Sequence, residues 1–125
     1  MTPIHWQRLE GGVIAAACLA VAILSGEWPW LLALFLAFDA SMVGYLGGTR
    51  LGAWRYNAIH LYGGPVAFGV AYALFNVKGA GILALAWAFH VGADRALGYG
   101  LKFEDGFHHT HLGLIGRKGA VETPR

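Results

Sequence analysis

The chain has 125 residues, of which 57% are hydrophobic and only 13% charged, with a mean hydropathy of +0.52. Soluble domains carry about 25% charged residues, so this composition belongs to the membrane class, and the length excludes a second domain. A formal net charge of +2 is too weak to attract nucleic acid, and the single cysteine, Cys18, excludes an intrachain disulfide or a thiolate metal cluster.

A helix that spans a bilayer needs about 20 mostly apolar residues. The first candidate runs from about Glu10 to Ser25 and is the shortest. No small-x-small cleavage site follows it, because Gly26 leads into Glu27-Trp28-Pro29, so it reads as an uncleaved helix. The second runs from about Trp28 to Leu46 with Asp39 inside it, and Gly44, Gly48 and Gly52 form a small-residue packing stripe at its end. The third runs from about Trp54 to Asn76, with Asn57 and His60 near its start. The fourth runs from about Lys78 to Leu101 and carries His90, Asp94 and Arg95. The breaks between spans are short, so sequential helices are antiparallel neighbours. The expected fold is an all-α, integral membrane four-helix bundle in a single domain. Its tail, 102–125, is expected to form an interfacial loop or short helix, because Phe107, Leu112, Leu114 and Ile115 are apolar while Gly106, Gly113 and Gly116 oppose a long helix.

With four spans, the N-terminus, the second loop and the tail share one side. That side carries Arg8, Arg50, Arg55, Arg95, Lys102, Arg117, Lys118 and Arg125, whereas the other carries only Lys78. The positive-inside rule then places both termini in the cytoplasm, and Trp6, Trp28, Trp30 and Trp54 fall where aromatic belts belong.

Ionisable groups at membrane depth are costly and usually mark a site facing the bundle interior. At about 1.5 Å per residue along straight helices, Asp39 and His90 share the middle tier, and Asn57, His60, Asp94 and Arg95 a tier nearer the cytoplasm. On this reading His60 and His90 differ in depth by roughly two turns, which argues against a haem held between them. His90 and Asp94 are four apart and stack on one helix face.

Three blocks carry a family resemblance: Tyr56-Asn57-x-x-His60, His90-x-x-x-Asp94-Arg95-x-x-Gly98-Tyr99-Gly100-Leu101-Lys102, and Phe107-x-x-Thr110-His111-Leu112-Gly113-x-x-Gly116. They resemble the small bacterial membrane proteins grouped as domain of unknown function 4260. The resemblance covers nearly the whole chain and implies a four-helix protein of the bacterial inner membrane; it implies no activity.

Function is therefore read from the residues. Zinc and iron sites use imidazole and carboxylate donors. His60, His90 and Asp94, joined by His109 or His111, are the candidate ligands. Asp39 is a further ligand or general base, and Arg95 an anion-binding group. Asn57, Tyr99 and His108 would stand behind these. The leading expectation is a metal-dependent membrane enzyme, holding zinc or iron and acting on a lipophilic substrate from the cytoplasmic leaflet. The alternative is a non-catalytic subunit or assembly factor of a larger membrane complex, with the buried residues fixing helix register. A third reading is a proton or ion path, although the outer half of the bundle offers no matching ionisable chain. Four short helices bury little surface, so self-association through the Gly44/Gly48/Gly52 face is also expected.

Overall fold

The computed structural model describes residues 1–115. The tail segment 116–125, which includes Arg117, Lys118 and Arg125, lies outside the described residues. The elements are α1 (Pro3–Ser25), α2 (Trp28–Phe35), a 3-10 helix (Phe38–Gly47), α3 (Thr49–Ile59), α4 (Gly63–Phe75), α5 (Lys78–Leu97) and a small hairpin of β1 (His109–Thr110) and β2 (Gly113–Leu114). Three stretches are long and apolar enough to cross a membrane: Pro3–Ser25, Trp28–Gly47 and Thr49–Phe75. Outward-facing side chains such as Leu24, Leu36, Leu46 and Leu74 stay exposed, as a lipid-facing surface requires. The fold is an all-α membrane bundle.

The 20-residue α5 is not one of the three apolar stretches, and its place in the bundle explains why. It is the central helix, packed against α1, α2 and α4. A helix shielded by three others can carry His90, Asp94 and Arg95 where a lipid-facing one could not. Contact with α1 is unusually close. A Cβ on Gly92 would lie 2.6 Å from the Gly11 carbonyl oxygen, and one on Gly11 would lie 2.8 Å from the Gly92 carbonyl oxygen. Small residues let two backbones approach in this way. On the far side of the bundle Ala22, Leu31 and Ala86 are fully buried, with Leu34, Phe38, Leu85 and Phe89 packed on them. The Glu27–Lys78 ion pair, at 3.1 Å, closes that end.

Two helices are interrupted at the same level. The second span starts as α-helix, and from Phe38 it winds as a 3-10 helix, with the Ser41 hydroxyl donating to the Phe38 carbonyl at 3.1 Å. The third span breaks between Ile59 and Gly63. Pro65 has no N–H, and its ring crowds the carbonyl four residues earlier, so the helix cannot run through Leu61. Free carbonyls at membrane depth need donors. Side chains of α5 supply them: the Trp87 indole donates to the Ile59 carbonyl at 2.6 Å, and Arg95 donates to the His60 carbonyl at 2.8 Å.

Gly44, Gly48 and Gly52 act within the chain. Gly48 makes the turn between the 3-10 helix and α3 with φ of 114°, Gly44 lies under the Arg55 side chain, and Gly52 lies under the Tyr45 ring. The stripe thus seats the 3-10 helix on α3.

The α5 helix stops at Gly98, whose φ of 98° is left-handed. The chain then folds back over the end of the bundle that holds the N-terminus. The tail forms a hairpin where a loop or short helix was expected, pairing His109 with Leu114 and Thr110 with Gly113. Gly113 has φ of 121°, and the Thr110 hydroxyl donates to its carbonyl at 2.7 Å. Asn57 holds this segment by both amide atoms: Nδ2 donates to the Lys102 carbonyl (2.8 Å) and Oδ1 accepts from the Lys102 N–H (2.6 Å).

Candidate metal centre

The two interruptions and the centre of α5 meet at one point. Asp39 comes from the start of the 3-10 helix, His60 from the C-terminal cap of α3, and His90 and Asp94 from successive turns of α5. One donor atom from each, Asp39 Oδ1, His60 Nε2, His90 Nε2 and Asp94 Oδ2, lies within 4.8 Å of all the others. The two imidazole nitrogens are 3.1 Å apart. His60 Nε2 is 3.3 Å from each carboxylate, and His90 Nε2 is 3.2 Å from each.

Hydrogen bonding alone accounts poorly for this arrangement. The His60 Nδ1 faces the Tyr56 carbonyl at 2.9 Å, and a carbonyl only accepts, so Nδ1 carries the proton. In the neutral ring His60 Nε2 is then a lone pair. It faces two carboxylates, which only accept, and the Nε2 of His90. Charge-assisted N–H···O bonds run about 2.7–2.9 Å, shorter than any of the four His–Asp distances here. A single N–H facing two carboxylates at equal distance can serve both only as a shared, three-centre bond. Donors placed about 2.0–2.1 Å from one cation at tetrahedral angles lie roughly 3.3 Å from one another. Five of the six separations in this set are 3.1–3.3 Å. Two carboxylates and two neutral imidazoles carry a charge of −2, which a divalent cation neutralises. The donor set fits zinc or iron(II).

Aromatic rings enclose the imidazoles. Tyr56 stacks on His60 with centroids 3.8 Å apart, and Phe35 and Phe38 pack on His90 at 4.5 and 5.5 Å. His90 Nδ1 is buried with no hydrogen-bond partner among the described residues. The site is graded in access. The His90, His60 and Asp94 side chains are 0%, 3% and 12% exposed, whereas Asp39 is 28% exposed, so Asp39 marks the open edge. An apolar groove of about 420 Å³ lies between the 3-10 helix and α3, lined by Ala37, Phe38, Ser41, Arg55, Ala58 and Ile59, residues that neighbour Asp39 and His60 in sequence.

Other residues singled out from sequence stand elsewhere. His111 accepts the Leu101 N–H at Nδ1 (2.8 Å), so Nε2 carries the proton and donates to Gln7 Oε1 (2.7 Å). Burial and the nearby Arg95 hold its imidazole below the usual range, and with both nitrogens engaged it has no lone pair to offer. His109 is paired with Asp105 at 2.9 Å and stacked on Phe103. His108 packs edge-on against Phe107. Arg95 braces the helix break, Asn57 grips the tail, and Tyr99 bonds the Asp94 carbonyl through its backbone N–H at 2.8 Å.

Two residues beside the site stand in the family blocks but carry no role in the expected ligand set. Tyr56 supplies both the carbonyl and the ring that fix His60; its sequence cues are its place in the first family block and four residues ahead of that histidine. Lys102 looked like one more cytoplasmic charge, yet it is 5% exposed. Its Nζ lies 4.6 Å from the Tyr56 ring centroid and 3.9 Å from that of Phe107. Burial pushes its ammonium down to about 8 against the opposing pull of Asp94 and Asp39.

Comparison with known proteins gives a family without an activity. The family model described as "Domain of unknown function (DUF4260)" matches residues 4–115. No curated protein and no solved structure matches the chain.

Proposed function

Because this chain belongs to the DUF4260 family, whose description assigns no activity, its function has to be read from the site, and we propose a membrane-embedded, metal-dependent enzyme that acts on a lipophilic substrate from the cytoplasmic leaflet. The observation that carries this reading is the convergence of Asp39, His60, His90 and Asp94 on one point with the spacing of a tetrahedral ligand set. A divalent cation held there supplies Lewis-acid polarisation of a carbonyl or phosphoryl oxygen.

The chain's own residues divide the remaining work. His60, His90 and Asp94 are the buried, fixed donors. His60 is oriented by the Tyr56 carbonyl, the partner that a ligating imidazole ordinarily needs on its other nitrogen. Asp39 is the exchangeable donor: it is the most exposed of the four and sits on the 3-10 helix rather than on the central helix. As a general base its carboxylate would take the proton of a water whose oxygen attacks the polarised carbonyl or phosphoryl group. The apolar lining of the groove between the 3-10 helix and α3 favours a substrate delivered by the bilayer. The one-sided distribution of Lys and Arg supports a bacterial inner-membrane protein with both termini in the cytoplasm. Four protein donors can also make a closed structural site; the exposure of Asp39 favours catalysis over that reading.

The test is turnover. Detergent-purified protein, loaded with zinc or iron(II), is incubated with a total lipid extract, and the products are followed by untargeted mass spectrometry. The expected result is a lipid species consumed by the wild-type protein but not by the metal-stripped protein or by His60→Ala. If the lipids are unchanged with every metal, the enzyme reading is wrong even where a metal is bound.

A further inference from the structure

Lys102 and Tyr45 present polar groups that the fold leaves unused. Lys102 is a buried residue, 5% exposed, yet among the described residues its ammonium has no ion pair and no side-chain hydrogen bond; it lies over the faces of Tyr56 and Phe107. The Tyr45 hydroxyl is also buried without a hydrogen-bond partner among the described residues, and its ring stands edge-on to the same Phe107, centroids 5.4 Å apart. The two cation–π contacts offset part of the cost of burying an ammonium, but they leave its N–H donors without an acceptor, and a hydroxyl left unbonded adds to that cost. The chain nevertheless fixes Lys102 in place, with Asn57 gripping its backbone from both sides and Thr110 bridging to it. The position is next to the ligand cluster: the ring of Tyr56 that faces the ammonium is the ring that stacks on His60.

We propose that Lys102 and Tyr45 form an oxyanion-binding subsite beside the metal centre, which takes the carboxylate or phosphate of an anionic ligand. The ammonium has only donors to offer and the hydroxyl has a free donor, so the complementary group is an acceptor with negative charge. Asp94 and Asp39 would repel it if unpaired, but a divalent cation among them removes that penalty. As part of a substrate site the subsite rests on the metal-enzyme reading, and it assigns that substrate to the anionic lipids or to a small oxyanion.

The test is binding to the full chain in nanodiscs of zwitterionic lipid, with oleate, a phosphatidic acid and inorganic phosphate as separate probes. Lys102→Met is expected to weaken binding about tenfold or more, and Tyr45→Phe roughly fivefold, as befits a charged and a neutral hydrogen bond. The metal content of both variants should equal that of the wild type. Tyr45→Phe removes one unbonded hydroxyl without changing shape, so it stays informative if Lys102→Met fails to fold. Lipid probes that bind where phosphate does not compete place the oxyanion on a lipid head; equal competition by phosphate places it on a free anion, and either result supports the subsite. Absence of binding by all three probes overturns it, as does unchanged affinity in both variants. Wild-type protein that binds the anion but no metal would sustain the subsite and sink the enzyme reading.

Discussion

Replacing His90 by alanine is expected to lower metal affinity at least about a hundredfold while leaving the helical fold intact. His90 donates from the centre of α5 with a fully buried side chain, and loss of even an outer partner of a metal ligand costs about 10–100-fold. Asp94→Ala should behave similarly, since its oxygen is 3.3 and 3.2 Å from the two imidazoles. Asp39→Ala should lose less metal but all turnover, because Asp39 sits at the open edge. Metal content by elemental analysis, with circular dichroism on the same samples, checks the ranking. A variant that keeps its metal after losing both His90 and Asp94 would place the ion elsewhere. If metal were retained in full but the protein failed to assemble, the residues would be fixing helix register.

The second large effect is expected at Gly92, which supplies no donor atom itself. A Cβ there would meet the Gly11 carbonyl oxygen at 2.6 Å and the Ala15 backbone nitrogen at 3.0 Å. Both are backbone atoms of α1, which cannot swing aside as a side chain can. Gly92→Val should therefore force α1 from α5 and destabilise the protein by about 3 kcal/mol, the upper end for overpacked sites. Since Gly92 lies between His90 and Asp94 on α5, the metal should go with it. Gly12→Ala is the control. Its Cβ would stand 3.6 Å from that of Ala96, an ordinary contact, and the variant should melt like the wild type. Thermal unfolding in detergent reads both; a Gly92→Val protein with an unchanged midpoint would show that the α1–α5 contact is not tight.

The sequence carried the class of the protein and most of the donors. Apolar runs of spanning length and the i,i+4 spacing of His90 and Asp94 are local features, and local features survive into the fold. Depth did not transfer. Straight-helix counting put His60 about two turns from His90, whereas their Nε2 atoms are 3.1 Å apart. The difference comes from helix ends: α5 stops at Gly98 rather than Leu101, and α3 begins at Thr49 rather than Trp54. Each shift moves the count toward agreement. The tail was harder still. The orientation of His111 depends on Gln7 at the other end of the chain, and the burial of Lys102 depends on Asn57, Tyr56 and Phe107 together. No window of sequence contains those partners.

The most direct test of the metal centre is X-ray absorption at the metal edge on protein purified without a polyhistidine tag. The account predicts about one divalent ion per chain, with a shell of nitrogen and oxygen donors near 2.0–2.1 Å, two imidazoles in its outer scattering and no sulfur, since Cys18 stands in α1 outside the donor set. A sulfur ligand, or a chain that binds no zinc or iron when either is supplied in excess, would contradict it.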